Sequence, residues 1–156
     1  MVESDGIKIV IKNRKAFHDF HILEKFEAGI SLRGTEVKSI REGKVHLQEA
    51  YARYIDGNVF LVGMHVSPWQ GASDYDQHDA ARTRQLLLHK REIRKISEQV
   101  EQGGMTLVPL MLYFKRGKLK VELGLAKGKR QHDKRETVAK REAEREMARA
   151  RSRKYS

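Results

Sequence analysis

From Leu119 to Ala126 apolar and polar residues alternate, and after Ala126 no compact apolar run returns. This boundary constrains the fold more than any other feature of the chain. Leu119, Val121, Leu123 and Leu125 lie two apart, so an extended backbone puts them on one face, while Lys118, Lys120 and Glu122 take the other. A core must therefore come from residues 1–126, and residues 127–156 must do something else. The two parts also differ in charge. The first carries twenty Lys/Arg against sixteen Asp/Glu; the second carries twelve against five. An apolar fraction of 39% beside a charged fraction of 34% fits a modest core with a charged segment attached. The expected organisation is one folded domain over 1–126 and a basic tail over 127–156.

A basic tail on a chain of net charge +11 points first to nucleic acid, then to plain solubility, and last to an anionic membrane. The absence of cysteine excludes disulfides and thiolate metal sites and fits a reducing cytoplasm. No run approaches the length that spans a bilayer, and no apolar leader opens the chain, so a soluble, cytoplasmic protein is expected.

Along the folded part, residues 1–6 read as a short lead and Ile7–Ile11 as a strand. Asn13, Arg14 and Lys15 break that pattern. Phe17–Leu32 is expected to be a long strand with an irregularity near Glu27–Gly29, because aromatic and β-branched residues dominate and Gly29 sits inside it. Gly34, Thr35 and Glu36 open a short helix, with Thr35 as the cap, Val37 and Ile40 on its apolar face and Gly43 as its stop. Tyr51–Val62 reads as a hairpin turned at Asp56-Gly57. Ser67–Ala81 is a long loop. A second helix is expected over Thr83–Gln102, with Leu86, His89, Ile93, Ile96 and Val100 along one face and Gly103-Gly104 as the stop. Met105–Phe114 and Leu119–Ala126 form a second hairpin. Strands joined by hairpins and single helices favour an antiparallel barrel over a doubly wound sheet. The expected fold is mainly β: an OB-like antiparallel barrel of about six strands with two or three peripheral helices.

The tail has good helix propensity from Glu136 to Arg149, with supportive spacings at Glu136–Lys140, Glu142–Arg145 and Glu146–Arg149. Its apolar stripe is thin: Val138, Ala139, Ala143, Met147 and Ala150. That stripe buries too little to dock on its own domain, so the tail is expected to be disordered when free and helical on a partner.

Several constellations invite a chemical reading. His18-Asp19-Phe20-His21 suggests a metal or an acid–base pair, but on a strand the two histidines point to opposite faces. Asp74, Asp76, His78 and Asp79 suggest a divalent cation, although a solvated loop explains them more simply. His132-Asp133 has no nucleophile or second carboxylate beside it in sequence. No phosphate loop, zincin pattern or nucleophile elbow is present. The expectation is no enzyme, no cofactor and no metal. The remaining signal is nucleic-acid binding. Asn13, Arg14 and Lys15, Lys38 and Arg41, Arg82 and Arg84, and the tail supply phosphate-neutralising or hydrogen-bonding groups. His18, Trp69 and Tyr75 offer faces for unpaired bases.

Five stretches together resemble the bacterial SsrA-binding protein family, small protein B. They are NRKA (Asn13–Ala16), FEAGISLRGTEVKSIREGK (Phe26–Lys44), DGNVFL (Asp56–Leu61), RTRQLLLH (Arg82–His89) and GLAKGKRQHDKR (Gly124–Arg135). The resemblance implies an OB-like barrel with helices around it. It implies binding to the tRNA-like domain of transfer-messenger RNA (tmRNA) and delivery of that RNA to stalled ribosomes for trans-translation. Alanyl-tRNA synthetase and elongation factor Tu would be indirect partners. The tail would occupy the small-subunit decoding centre and the mRNA channel. By position, the RNA-facing set would be Asn13, Arg14, Glu27 and Leu87, with Lys38, Arg82 and Arg84 beside them. Glu27 would accept from a base amino group or orient an arginine, or else form an internal ion pair. Leu87 would either touch RNA or pack beneath its surface. In the tail, Gly128 matches a flexible junction, and His132, Asp133, Lys134 and Arg135 match the decoding-centre segment. Lys127, Lys129, Arg130, Lys140, Arg141 and Arg145 supply further tail cations. Ala150 and Arg151 stand where bulkier apolar residues occur in the family, so the last tail contacts are expected to be electrostatic.

Two other readings stay open at this stage. One is a general RNA-binding or ribosome-associated OB protein without tmRNA specificity. The other is a metal-dependent nuclease using His18, Asp19 and the Asp74–Asp79 loop. A monomer is expected, since no heptad repeat or obvious apolar edge stands out.

Overall fold

Two tight hairpins set the frame of the computed structural model, which describes residues 6–73, 75–129 and 131–155. Strand β4 (Tyr51–Ile55) turns into β5 (Asn58–Val62) through Asp56 and Gly57, both at positive φ, +47° and +84°. Strand β8 (Thr106–Lys115) turns into β9 (Lys118–Gly128) through Arg116 and Gly117 in the same way. Positive φ at both central residues is the turn whose twist matches two antiparallel strands, which is why Asp-Gly and Arg-Gly sit there.

The other elements complete the barrel. They are β1 (Ile7–Lys12), α1 (Arg14–Asp19), β2 (Phe20–Ile30), α2 (Gly34–Arg41), β3 (Val45–His46), β6 (His65–Val66), β7 (Arg84–Leu87), α3 (Lys90–Gly103) and α4 (Gln131–Tyr155). Strands run in the order β1-β8-β4-β5-β7-β2-β9, and β9 pairs back onto β8. Six strands thus close a ring, with β1 laid along β8 outside it. Every pairing in the ring is antiparallel. Strands β3 and β6 form a separate pair. This is the mainly β, OB-like architecture expected from the hairpins.

The alternation at the end of β9 works as anticipated. Val121, Leu123 and Leu125 are buried in the core with Ala28, Val59, Leu61 and Leu112. Gly124, on the opposite face of β9, is pressed from both sides. A Cβ there would come within 2.9 Å of Leu110 and 3.1 Å of Ile22, so only glycine lets these side chains meet over the strand. Helix α3 closes one end of the ring with Ile96 fully buried and Ile93 and Val100 partly buried.

Four local expectations are corrected. Residues 14–19 form a helix, so the strand expected over Phe17–Leu32 is only Phe20–Ile30. Asn13 accounts for this: its side chain accepts from the Ala16 N–H and starts a turn. The strand's irregularity lies between Ile22 and Glu24, not at Glu27–Gly29. The helix expected from Thr83 starts at Lys90, where the Glu92 carboxylate accepts the His89 N–H. Before it, residues 84–87 pair with β2 and β5, and Leu86 is buried as a strand residue. Finally, α2 is capped by Glu36, which accepts the Arg33 N–H at 2.9 Å, rather than by Thr35. The Thr35 hydroxyl instead donates to His78 Nδ1 at 2.9 Å, while His78 Nε2–H donates to the Val66 carbonyl.

Glu36 also anchors a buried ion network. Its Oε2 meets Arg84 Nε at 2.5 Å and its Oε1 meets Arg82 Nη2 at 2.6 Å. Arg84 is fully buried, and its remaining guanidinium donors go to the carbonyls of Met64, Arg82 and Ala80. Burial by itself would push the Glu36 carboxyl up. The hydrogen bonds from Arg82, the Arg33 N–H and Arg84 outweigh it and hold the carboxyl below its usual range. Glu36→Gln should therefore lower unfolding stability by about 3–5 kcal/mol, because it strands the Arg84 charge in the core. The native carboxyl titrates below the unfolded one. Its contribution is full above the ordinary glutamate range and fades as the pH falls through the lowered folded-state value. Urea melts across an acid pH series should show the variant losing less stability to acid than the parent chain.

Candidate nucleic-acid interface

The residues singled out from sequence fall into three places. The first is the outward face of β2, β7 and β9. Side chains alternate across a strand, so Lys25, Glu27 and Gly29 of β2 share the outer face. The register sets Glu122 opposite Glu27, and it sets Lys120 and Leu87 on either side of Gly29. Leu87 is 56% exposed, so it faces outward rather than packing beneath the surface. Glu27, Gly29, Leu87, His89, Glu92 and Lys120 line a cleft of about 320 Å³. Gly29, Leu87 and Leu88 make its apolar part, and Glu27, Glu92 and Lys120 bring both signs of charge. Gly29 keeps the floor low, since a Cβ there would project toward Leu87 at 3.4 Å.

The second place is the end of the barrel around α2. Lys38 lies 6.0 Å from the centre of the Trp69 ring, and Arg41 lies 5.5 Å from that of Phe114. Each cation sits over a ring face, which orients it without discharging it. Arg82, part-exposed, is tied to Glu36 and to the Ser31 carbonyl. Trp69 is fastened by its own backbone, whose N–H donates to Gln77 Oε1 and whose carbonyl accepts from Gln77 Nε2. Tyr75 is almost wholly exposed.

Two expected interface residues are interior. Arg84 is enclosed by Glu36 and three carbonyls, as described above. Asn13 is buried, and its amide donates to the carbonyls of Leu47 and Pro109 while its oxygen caps α1. Both brace the surface from beneath: Arg84 through β7, which carries Leu87, and Asn13 through α1. Strand alternation inward from Leu87 carried the signal for Arg84, since a cation on the core side of a strand needs a buried acid.

The third place is α1. Arg14 is exposed, and Lys15 pairs with Glu49 at 2.6 Å. His18 Nδ1 lies 2.8 Å from Asp19 Oδ1. The bond from His18 chiefly holds the Asp19 carboxyl below its usual range; burial opposes it and the charge of Lys134 adds to it. Among the described residues, no group of three or more His, Asp or Glu is placed to hold a metal ion. Asp74 lies outside the described residues. Nor is any described helix long and apolar enough to cross a membrane.

A family model described as SmpB protein matches residues 10–153. The chain belongs to the SmpB family. It is 55% identical over 148 residues to the SsrA-binding protein of Synechocystis sp., covering 95% of this chain and 96% of that one. It is 53% identical over 146 residues to the SsrA-binding protein of Trichodesmium erythraeum, covering 94% of each. A solved structure reported as "tmRNA-SmpB: a journey to the center of the bacterial ribosome" aligns with a TM-score of 0.64 at 50% identity. The alignment covers 82% of this chain and 93% of that one.

In this SmpB-family chain the tail is the helix α4, and its first turns lie against α1. Hydrogen bonds and an ion pair fasten the contact, with Val138 and Ala139 lining the groove beside them, and the thin apolar stripe alone did not foreshadow it. Lys129 makes it. Its N–H donates to the Asp19 carbonyl at 2.8 Å, and its Nζ reaches the Phe17 carbonyl and the Thr137 hydroxyl at 3.1 and 2.7 Å. Lys134 Nζ adds a contact to Asp19 Oδ1 at 3.6 Å. His18, Lys134, Arg135, Val138 and Glu142 line the groove between the helices. From Glu142 to Arg151 every side chain is exposed, so Arg145 is open while Arg141 is partly covered. Lys127, Gly128 and Lys140 are exposed as well. Arg130 lies outside the described residues, and of His132 and Asp133 only the backbone is described, within α4.

Sequence reading missed Tyr113, Lys115 and Lys120, although the strand alternation that turns Leu112 and Phe114 inward places them on the outer face of the barrel, Tyr113 covered there by β1. It also missed Asp19 as the acceptor for the tail. Asp19→Asn should loosen the root of α4 without disturbing the barrel. Amide exchange over residues 134–139 should quicken by about threefold, the scale of one partly exposed ion pair, while the β8 and β9 amides hold their rates.

Proposed function

We propose that this chain binds the tRNA-like domain of tmRNA and delivers it to stalled ribosomes for trans-translation. It does so as a binding protein in the cytoplasm and not as an enzyme. The observation that carries this reading is the pairing, on one SmpB-family chain, of a shaped cleft with a basic arm. The cleft of Glu27, Leu87 and Lys120 has a fixed acceptor, an apolar part and a cation. Those are the parts needed to read an unpaired base and its phosphate. The arm is the cation-rich helix α4, suited to following a nucleic-acid backbone.

The division of labour follows. Residues 1–126 form the RNA-binding domain; Arg14, Lys15, His18, Glu27, Lys38, Arg41, Arg82 and Leu87 face the tRNA-like domain. Residues 127–156 form the tail, whose helix α4 does its work on the ribosome. There His132 stacks on a base in the decoding centre while Lys134 and Arg135 meet phosphate, and Lys140, Arg141 and Arg145 line the mRNA channel. Alanyl-tRNA synthetase and elongation factor Tu act on the bound RNA and so are indirect partners.

The test compares the full chain with a version ending at Lys129, which keeps the whole of β9 and the bond to Asp19. Each is titrated against the isolated tRNA-like domain and against ordinary tRNA over a salt series, with thermal melts as the folding control. Both should prefer the tRNA-like domain at raised salt, where nonspecific phosphate contacts fade. Only the full chain should support tagging of a nascent peptide on ribosomes lacking a stop codon. Loss of RNA preference on truncation would make the arm the anchor. Absence of preference in both forms would leave a general RNA-binding protein.

A further inference from the structure

Glu27 stands at the rim of the cleft with its side chain 40% exposed, yet it is not loose. The Tyr113 hydroxyl donates a hydrogen bond to its Oε2, and Lys115 Nζ lies 3.4 Å from the same oxygen. Among the described residues Oε1 has no hydrogen-bond donor. Tyr113 belongs to β8 and Glu27 to β2, with β9 between them. The register sets Tyr113 beside Lys120 and Glu27 beside Glu122, so the line joining them crosses β9 at Val121, whose side chain points into the core. The phenol ring therefore has an open lane over the strand. It is 5% exposed, pressed into place where β1 runs along β8 and sets Ile9 opposite it.

From this geometry we infer that Tyr113 is the positioning residue of the RNA-reading cleft. It pins one oxygen of Glu27 and presents the other, as an ionised acceptor, to an N–H donor on the edge of an unpaired base. The inference rests on the binding role proposed above. Without the phenol, Glu27 would swing toward Lys115, Lys120 or the Lys25 beside Glu122, all cations within reach of that face, and its acceptor would no longer address the cleft. The like-charged Glu122 opposite Glu27 makes the pin more necessary, because repulsion would otherwise drive the two carboxylates apart. The electrostatics agree. The Tyr113 bond is the main cause of a Glu27 carboxyl held below its usual range, with burial opposing it and Lys115 and Lys120 helping. Burial, then the bond to Glu27, pushes the Tyr113 phenol far above its own, so it stays a donor at every working pH.

The test removes only the hydroxyl. Tyr113→Phe keeps the ring in its packed site, so the thermal melt should stay close to that of the parent. In the full-length protein its affinity for the tRNA-like domain should fall about fivefold to tenfold at neutral pH, the scale of the net contribution of one hydrogen bond. The slope of log affinity against log salt should not change, since no phosphate contact is lost. Combined with Glu27→Gln, the substitution should add nothing, because both act through one carboxylate. Separately and without RNA, the Glu27 side-chain carboxyl resonance should titrate below the ordinary range in the parent and move up in Tyr113→Phe. Undiminished affinity in Tyr113→Phe, or an added loss in the Glu27→Gln background, would overturn the positioning role. A parent chain with no preference for the tRNA-like domain over tRNA would instead overturn the binding role, and the carboxyl titration would still report on the pin.

Discussion

One carboxylate, that of Glu36, joins parts of the chain that lie far apart in sequence. It caps α2, holds Arg82 at the surface and neutralises Arg84 in the core. Through Arg84 it reaches the carbonyls of Met64 and Ala80, which bound the long loop between β5 and β7. The barrel would otherwise close with little to fix where β7 enters it, because β7 has only four residues and pairs with short stretches on each side. A buried ion pair is a poor source of net stability but a good source of specificity, since every other arrangement leaves a charge unpaired. Here the specificity has a direction. Arg84 and Leu86 point in, so Gln85 and Leu87 must point out.

The features that sequence disclosed were those with short periods and local causes. Both hairpins announced themselves through Asp-Gly and Arg-Gly between alternating runs. The Ile93–Ile96–Val100 face of α3 followed from helical spacing, and the end of the core at Ala126 followed from the loss of any apolar pattern. The features that stayed hidden depended on distant partners. Leu86 and Leu87 suit a strand or a helix equally, and it is the pairing with Gly29, Ile30 and Val59 that makes them a strand. Asn13 looked like a surface residue because its two carbonyl partners, at Leu47 and Pro109, are far along the chain. Tyr113 drew no notice for the same reason: its hydrogen-bond partner lies two strands away, and only the register brings it to Glu27.

The candidate interface divides its electrostatic work. On the barrel, Lys38, Arg41, Arg82 and Lys15 are oriented by Trp69, Phe114, Glu36 and Glu49, and the cleft beside them carries an acid, Glu27. Fixed groups of both signs suit a partner with one defined shape. On α4 most cations project from a helix whose far half is fully exposed, an arrangement suited to a polyanion met over a length rather than at a point. The apolar core enters neither surface except through Leu87 and the floor at Gly29. The barrel's stability and its recognition are thus largely separable, with Glu36 and Asn13 as the places where they meet.

Strand β9 ends at Gly128 and α4 begins at Gln131, with Lys129 bonded to the Phe17 and Asp19 carbonyls beside that junction. Mechanically this makes α4 a lever and α1 its fulcrum. A helix of this length extends about 37 Å, so a tilt of about 10° at the root sweeps the tip through about 6 Å, more than a full helical turn of travel. Whatever repositions α1 by a fraction of an ångström is therefore magnified at the far end of the arm. The barrel's smallest helix governs where its longest one points.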